Sequence, residues 1–241
     1  GERARCWQCG PYPCPPPDPE RSLVAVPAVS VHTLALIVGW LAAGLSCFIS
    51  APQLVRILRA GTTAGVSVLS WQLVLGGNLT WGVYGLMHGN VNQWLPNVAL
   101  VTITVVILSR FHREVGTSWL VLLAPGILIA LTSTVLEVTA GTVAFSIAAF
   151  IPAAVSLVSQ LKVTATSEDV RGLSVANQWI SLVNQSAWLL WAALIAERSV
   201  LLVGSASLVL IVANLSMALL RTSGTLGPVT RQGLRLSVAR A

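Results

Sequence analysis

Two amide–indole pairs are the residues of this chain best suited to binding a polar solute. Asn78 precedes Trp81 by three positions, and Gln185 precedes Trp188 by the same spacing. Residues three apart lie on one face of a helix, so each pair would put an amide one turn from an indole. An amide supplies two hydrogen-bond donors and an acceptor, which suit hydroxyl groups. An indole offers a flat face that can stack on a sugar ring or hold a cation.

Three further residues could shape such a site. Pro52 removes a backbone hydrogen bond and clashes with the preceding turn, so a helix that contains it must bend. Gln53 is adjacent and polar, and could bond the carbonyl that this bend frees. A static kink and a moving hinge are both compatible with the residues. Asn97 directly follows Pro96 where an apolar run begins, and its amide needs a partner or a polar cavity.

These residues lie in long runs without charge, which are typical of membrane helices. Only 9% of the 241 residues are charged, against about 25% in soluble domains. A helix needs roughly 20 mostly apolar residues to cross the hydrocarbon core. The charge-free runs are Thr33–Val55, Ala60–Met87, Gly89–Ser109, Val115–Leu136, Val138–Leu161, Gly172–Ala196 and Ser199–Leu220. The sequence therefore predicts an all-α polytopic membrane protein with seven transmembrane helices.

The depth of the two indoles separates two interpretations. Tryptophan is enriched at the membrane interface, where it anchors helices. Trp81 and Trp188 each lie six or more residues from the end of their charge-free run. This depth favours a pocket inside the membrane over an interfacial anchor.

The basic residues between the runs predict the orientation of the chain. With the N-terminus outside, the inner side collects Arg56, Arg59, Arg110, Arg113, Lys162, Arg171, Arg221, Arg231, Arg235 and Arg240, and the outer side keeps Arg3, Arg5, Arg21 and Arg198. Ten against four favours an external N-terminus and a cytoplasmic C-terminus by the positive-inside rule. Because these residues flank spans and do not cluster on a soluble face, nucleic-acid binding is disfavoured. Arginine makes up thirteen of the fourteen basic residues. We interpret this excess over lysine as a sign of a GC-rich bacterial source, which would place the protein in the plasma membrane.

The ends of the chain and its histidines offer no catalytic pattern. Residues 1–22 are rich in proline and cysteine and have no apolar core, so we expect residues 1–30 to form a disordered segment rather than a signal peptide. Three of the four cysteines lie there, one short of a closed zinc site. The three histidines are scattered near helix ends without metal spacing. No enzyme, cofactor or metal is predicted, and residues 222–241 read as a basic cytoplasmic tail near anionic lipid.

An internal repeat groups the seven runs. Shifting the chain by 107 positions aligns identical residues at polar and glycine positions, where hydrophobic bias alone does not produce matches. The identical pairs are Gln53/Gln160, Leu54/Leu161, Gly65/Gly172, Ser67/Ser174, Val68/Val175, Leu75/Leu182 and Trp81/Trp188. The runs then form two parallel three-helix units, residues 31–112 and 138–221, joined by a linker helix in residues 113–137. This 3+1+3 order implies a pseudo-two-fold axis along the membrane normal.

At this point the sequence resembles a known family. Pro52-Gln53, Gly65-Val-Ser67 and Trp81-Gly-Val-Tyr84-Gly85 are similar to motifs of the PQ-loop superfamily, and Leu95-Pro96-Asn97 resembles the SWEET and SemiSWEET sugar transporters. The resemblance covers about residues 33–220. The second unit departs from it, because Ser159 stands opposite Pro52 and Gly204 opposite Asn97. Pro152 could supply the second kink, and Ser205, Ser207 or Asn214 could replace the missing amide.

The resemblance implies a transporter that carries a mono- or disaccharide by alternating access. It implies that Pro52 with Gln53 forms a hinge and that Asn97 contacts the substrate. The expected lining of a midplane pocket is Trp81, Asn97 and Trp188, aided by Asn78 and Gln185. Proton-coupled relatives need a carboxylate within the membrane. Neither three-helix unit shows one, so facilitated diffusion is expected.

Other functions remain open from the sequence. A carried amino acid or other small polar metabolite is the nearest alternative, although a charged solute would demand a counter-charge that is not evident. A receptor or membrane scaffold without transport is a second, since PQ-loop relatives include such proteins. A degenerate repeat without activity is a third. Two complete units predict a pocket within one chain, and assembly into homo-oligomers stays open.

Overall fold

The computed structural model describes residues 30–63, 66–168 and 174–229, with the side chain of Gln53 left out. The expectations for the N-terminal segment at residues 1–30 fall almost entirely outside this part of the chain. Those for the basic tail at residues 222–241 fall largely outside it. Any contact of the Gln53 amide with a freed carbonyl also lies outside the described residues.

The described residues form seven α-helices, which confirms the predicted all-helical chain. They are α1 (Val31–Ala60), α2 (Val68–Met87), α3 (Val91–Val115), α4 (Trp119–Ala140), α5 (Thr142–Thr166), α6 (Val175–Ile195) and α7 (Arg198–Thr222). Helix α2 begins eight residues later than the charge-free run that predicted it. Gly61 has a positive φ of 67°, which ends α1, and the Ser67 hydroxyl then accepts a hydrogen bond from the Ser70 amide and caps α2.

The same cap begins α6. Ser174, 107 positions after Ser67, accepts a hydrogen bond from the Asn177 amide over 3.2 Å. Serine is among the preferred N-cap residues because its hydroxyl satisfies an amide that the first helical turn leaves unpaired. Helices α2 and α6 therefore begin at matched positions for the same local reason.

Five of the described helices are long and apolar enough to cross a membrane: α1, α3, α4, α5 and α7. Helices α2 and α6 are free of charge and contain 20 and 21 residues, but they are not among these five, and α2 carries two amides and α6 four. Gln72 and Asn78 lie on α2, and Asn177, Gln178, Asn184 and Gln185 lie on α6. Seven helices are thus observed, and for α2 and α6 the span itself stays a prediction.

Helix contacts arrange the bundle around its centre. Helix α3 packs between α1 and α2, and α7 packs between α5 and α6. Helix α1 contacts α6, α2 contacts α5, and α4 lies against both α2 and α5. One core cluster joins α1 to α4 around Ile57, Leu75, Ile107 and Leu122, and another joins α1, α6 and α7 around Trp191.

Large apolar side chains cover the outside of the bundle. Leu120 is 77% exposed and Val138 is 71% exposed, and they have many counterparts on every helix. A protein in water rarely shows contiguous apolar surface of this extent. The exterior therefore suits a lipid environment, as the charge-free runs predict.

Candidate functional site

A cavity of about 320 Å³ lies at the centre of the bundle, between α1, α2, α3, α5, α6 and α7. It is lined by Ser46, Ile49, Ser50, Asn78, Trp81, Gln93, Pro96, Asn97, Leu100, Ala153, Asn184, Gln185, Trp188, Val200, Val203, Gly204 and Ser207. All five residues predicted to bind a solute are in this lining: Asn78, Trp81, Asn97, Gln185 and Trp188. The structure thus brings them together, and their binding role stays a prediction.

Both indoles stand in the cavity wall. Trp81 makes edge-to-face contacts with Tyr84 and Phe145, with ring centroids 5.8 and 5.5 Å apart. Trp188 packs edge-to-face on Trp191 at 5.4 Å, and its Nε1 donates a hydrogen bond to the Ser46 hydroxyl over 3.1 Å. These contacts hold each ring within the bundle, at a distance from the helix ends where anchors lie.

The amides differ in how firmly they are bonded. Asn97 Nδ2 donates to the Gln93 carbonyl of its own helix over 2.7 Å, which leaves the Asn97 oxygen as an acceptor. Asn78 Nδ2 reaches Thr104 Oγ1 at 3.5 Å, the limit of a hydrogen bond. No described residue bonds the Gln185 amide. Asn78 and Gln185 are therefore available to a polar solute at little cost in lost hydrogen bonds.

Three residues were suggested to replace the amide that is missing at Gly204: Ser205, Ser207 and Asn214. The structure places them differently. Ser207 lines the cavity, whereas Ser205 is exposed on the outside of α7. Asn214 is fully buried and donates to the carbonyls of Leu157 and Leu210 at 3.0 and 2.9 Å. Asn214 therefore ties α7 to α5 and does not reach the cavity.

Four polar lining residues were not predicted: Ser46, Ser50, Gln93 and Asn184. Asn184 and Gln93 each lie one turn before a predicted residue, Trp188 and Asn97, and i,i+4 spacing could have identified them. Ser46 and Ser50 lie on α1, and serine is too common in membrane helices to indicate a site. Only the packing of α1 against α6 places them at the cavity.

Most of the lining falls into pairs that are 107 positions apart. The pairs are Ser46/Ala153, Asn78/Gln185, Trp81/Trp188, Gln93/Val200, Pro96/Val203, Asn97/Gly204 and Leu100/Ser207. Gly204 is paired with Asn97 and has no side chain, but an amide from α6 fills the space that a side chain would take. A Cβ at Gly204 would lie 2.9 Å from Gln185 Nε2, so the Gln185 amide occupies the space above this glycine.

None of the described residues that line the cavity carries a formal charge. Its polar groups are amides and hydroxyls, and the remainder is aliphatic or aromatic. Within residues 30–63, 66–168 and 174–229, no group of three His, Cys, Asp or Glu side chains could hold a metal ion. This lining can hydrogen-bond and stack on a neutral polar molecule, but it cannot neutralise a charged one.

A polar cluster lies beside the cavity where α2 and α4 end and α7 begins. The Tyr84 hydroxyl donates to Glu197 Oε1 over 2.6 Å, and the Tyr84 ring stacks on Phe145 at 4.3 Å. His88 lies over the same tyrosine, and its Nε2 is 3.4 Å from Glu137 Oε1. These contacts join α2 to α4 and α7 at one end of the bundle.

The predicted hinge lies away from the cavity. Pro52 is inside α1, which continues through it to Ala60. Its ring is exposed and borders a shallow surface groove with Phe48, Val55 and Arg56. Pro152, the suggested second kink, is buried inside α5. Whether either proline moves during function stays a prediction.

Comparison with known proteins identifies the first part of the chain. Residues 34–94 match the family model described as the PQ loop repeat. The "Sugar transporter SemiSWEET" of Escherichia coli (strain UMEA 3162-1) is 29% identical over 81 residues, which cover 33% of this chain and 91% of that protein. The predicted resemblance to the PQ-loop and SWEET-like family is confirmed. The matched segment covers α2 and most of α1, and it contributes six of the cavity-lining residues: Ser46, Ile49, Ser50, Asn78, Trp81 and Gln93.

Proposed function

We propose that this protein is a SWEET-like transporter that lets a small neutral sugar diffuse across the membrane by alternating access. The observation that carries this proposal is the central cavity, in which Trp81 and Trp188 stand among amides and hydroxyls without a formal charge. Flat apolar ring faces and surrounding hydroxyls are what distinguish a sugar from other small metabolites. Indoles stack on the former, and amides bond the latter.

The pattern of helix contacts supports a 3+1+3 architecture. Helices α1, α3 and α2 pack in that order within residues 31–112, and α5, α7 and α6 repeat the order within residues 138–221. Helix α4 lies against α2 and α5, as expected of a linker. The pairing of cavity residues at an offset of 107 fits two parallel units related by an axis along the membrane normal. A solute site on such an axis contacts both units and is suited to their rocking motion.

The ends of the bundle suggest how access alternates. With the N-terminus outside, the Tyr84–Glu197 bond and the His88–Glu137 contact belong to the outer end of a protein in the plasma membrane. They join α2 to α7 and α4 and would have to break for the solute to enter from outside. Pro52 lies nearer the opposite end of α1, where bending would open the cavity to the cytoplasm.

The lining favours a sugar over an amino acid. A free amino acid carries a carboxylate and an ammonium group, and burying either without a counter-charge is costly. The cavity offers none. Its volume is near the lower end of the range of about 300–1,000 Å³ that small-molecule sites occupy. A monosaccharide is therefore the preferred solute. A receptor or scaffold that transports nothing would leave the presence of this cavity unexplained.

Direct binding to the purified, detergent-solubilised protein tests the proposal. A panel of radiolabelled neutral sugars and amino acids is measured with wild type, with Trp81→Ala and with Trp179→Ala, which removes a largely exposed indole from α6. We expect at least one sugar to bind. Trp81→Ala should weaken its binding about tenfold, or about 1.4 kcal/mol, while Trp179→Ala has no effect. Binding of amino acids alone would contradict the solute class. Equal binding by wild type and Trp81→Ala would exclude this cavity as the site.

A further inference from the structure

We infer that the two sides of the cavity have different tasks and that the solute therefore binds in a single orientation. One side, which we call the fixed wall, consists of Trp188 with Ser46 and Asn184. The other, the bonding wall, consists of Trp81 and Gln93. This inference rests on the proposed sugar binding and adds which groups orient the sugar.

The fixed wall is held by hydrogen bonds between α1 and α6. Ser46 Oγ accepts from Trp188 Nε1 over 3.1 Å and from Asn184 Nδ2 over 3.2 Å. The Ser46 hydroxyl can in turn donate to the Ala42 carbonyl at 3.0 Å. Indole has a single donor, and Ser46 occupies it. Trp188 can therefore offer a solute only the face of its ring.

The equivalent positions around Trp81 lack these partners. Ala153 stands where the second unit would match Ser46, and Gly77 stands where the first would match Asn184. No described residue accepts a hydrogen bond from Trp81 Nε1. The Trp81 ring is held by its edge-to-face contacts with Tyr84 and Phe145. Its N–H group is therefore free to donate to a solute oxygen.

Gln93 gives the bonding wall an acceptor. Its side chain lines the cavity, is only 3% exposed, and has an Oε1 atom for which no described residue supplies a donor. A buried polar atom without a partner costs free energy, and native proteins retain few of them. At the paired position the second unit has Val200, which cannot bond. A solute hydroxyl would satisfy Gln93 from the cavity side after a small rotation of the amide.

The two walls together select a molecule with two unlike sides. An apolar ring face would lie against Trp188, while one edge would present a hydroxyl donor to Gln93 and an oxygen acceptor to Trp81. The pyranose form of a monosaccharide has this distribution of groups. Because Val200 stands at the position paired with Gln93 and the N–H group of Trp188 is bonded to Ser46, the reverse orientation would lose these two hydrogen bonds.

The substitution Gln93→Leu distinguishes solute binding from a structural role, because it replaces an unpartnered amide with an apolar side chain of similar size. We expect the melting temperature of the solute-free protein to stay the same or rise and sugar affinity to fall at least tenfold. Gln72→Leu is the matched control. Gln72 is also a buried amide but lies outside the cavity, and its Nε2 donates to the Val121 carbonyl over 2.8 Å. This control should lower the melting temperature and leave sugar affinity unchanged.

Ser46 is inferred to be a positioning residue, and its test is non-additivity with Trp188. We expect Ser46→Ala to weaken sugar binding at least fivefold in the wild-type background and less than twofold in a Trp188→Phe background, where there is no indole N–H to hold. Ser46→Thr, which keeps the hydroxyl, should restore binding. Equal losses in the two backgrounds would overturn the role assigned to Ser46.

The outcomes separate this inference from the proposed function. If wild type binds a sugar but Gln93→Leu binds it equally well, the bonding wall is wrong and the proposed function stands. A fall in melting temperature for Gln93→Leu would show that the amide is bonded in the empty protein, which also overturns the inference. If wild type binds no sugar, the proposed function fails, and the inference about orienting a sugar fails with it.

Discussion

At the scale of residues, the cavity shows how polar side chains are tolerated in the interior of a membrane protein. Most of them are partly satisfied by their own helix or by one neighbour, as Asn97 is by the Gln93 carbonyl. Polar groups at this depth are costly and tend to mark function. At one end of the bundle, the Tyr84 hydroxyl donates a hydrogen bond to the carboxylate of Glu197. Because its acceptor is charged, this bond should contribute more to stability than the neutral hydrogen bonds of the cavity.

Tyr84→Phe is predicted to destabilise the folded protein. The change removes the 2.6 Å bond to Glu197 and keeps the ring stacked on Phe145. Hydrogen bonds to charged groups contribute about 1.5–3 kcal/mol, so the free energy of unfolding should fall by a similar amount. Denaturant titration in detergent measures this value. If Glu197→Gln in the Tyr84→Phe background costs as much as it does alone, the two residues are not coupled and the prediction is wrong.

The sequence predicted one class of site residue and missed another. The amide–indole pairs were found because a three-residue spacing on a helix fixes which side chains share a face. Ser46 could not be found in this way, because it becomes part of the site only through α6, more than 130 residues later in the chain. Spacing could have placed Gln93 on the same helix face as Asn97, but only the packing shows that its side-chain oxygen has no partner among the described residues.

At the scale of elements, the two helices that composition does not recognise as membrane spans carry four of the five residues predicted to bind a solute. Helix α2 contributes Asn78 and Trp81, and α6 contributes Asn184, Gln185 and Trp188. Amides lower the average hydropathy of both helices, and three of them, Asn78, Asn184 and Gln185, line the cavity. Composition alone therefore recognises five spans where charge spacing predicts seven. The start of α2 was predicted poorly, because the Ser67 cap, rather than the end of the apolar run, decides it.

Gly39→Ala is predicted to disturb the packing of α1. A Cβ at Gly39 would lie 2.0 Å from Asn92 Nδ2 and 2.7 Å from Trp191 Cδ1. Overpacking of this kind costs about 1–3 kcal/mol. Gly44→Ala on the same helix is the control, since its Cβ would meet no atom within 4 Å. It should change the free energy of unfolding by less than about 1 kcal/mol. Equal stability of the two variants would contradict the observed approach of α1 to α3 and α6.

Pro52→Ala tests the hinge. Proline in a helix interior costs about 3 kcal/mol relative to alanine, so the variant should be at least as stable as wild type. If bending at Pro52 is part of the transport cycle, sugar flux into proteoliposomes should fall about tenfold, or about 1.4 kcal/mol in activation free energy. Equilibrium sugar binding should be unchanged. Pro125→Ala in α4 is the control and should retain flux. Wild-type flux in Pro52→Ala would show that the kink is static.

At the scale of the whole molecule, the two proposed three-helix units would contribute unequal chemistry to one neutral cavity. The paired lining positions keep the geometry of a repeat, while Ala153, Val200 and Gly204 remove polar groups from the second unit. The seven helices of the described residues follow from charge spacing, while the linker role of α4, predicted from the 107-residue offset, stays a prediction. The asymmetry of the bonding groups does not follow from spacing, because it depends on which side chains already have partners.

The absence of a carboxylate from the described cavity lining predicts transport without proton coupling. A coupled carrier needs a group inside the membrane that gains and loses a proton during the cycle. The nearby acidic residues, Glu137 and Glu197, lie at helix ends and are engaged with His88 and Tyr84. The rate of sugar uptake should therefore be the same with and without a pH gradient. A strict requirement for a gradient would contradict this prediction.

Uptake of a labelled neutral sugar into proteoliposomes is the most direct test of the proposal that a sugar crosses the membrane through the central cavity. Vesicles that contain wild type, Trp81→Ala with Asn97→Ala, or the exposed-indole control Trp179→Ala are compared with empty vesicles under equal sugar concentrations. We expect saturable equilibration with wild type and the control, and a rate close to that of empty vesicles for the double variant, with all three proteins folded and inserted. Two results would contradict sugar transport through this cavity. One is uptake by the double variant at the wild-type rate, and the other is no uptake of any neutral sugar by wild type.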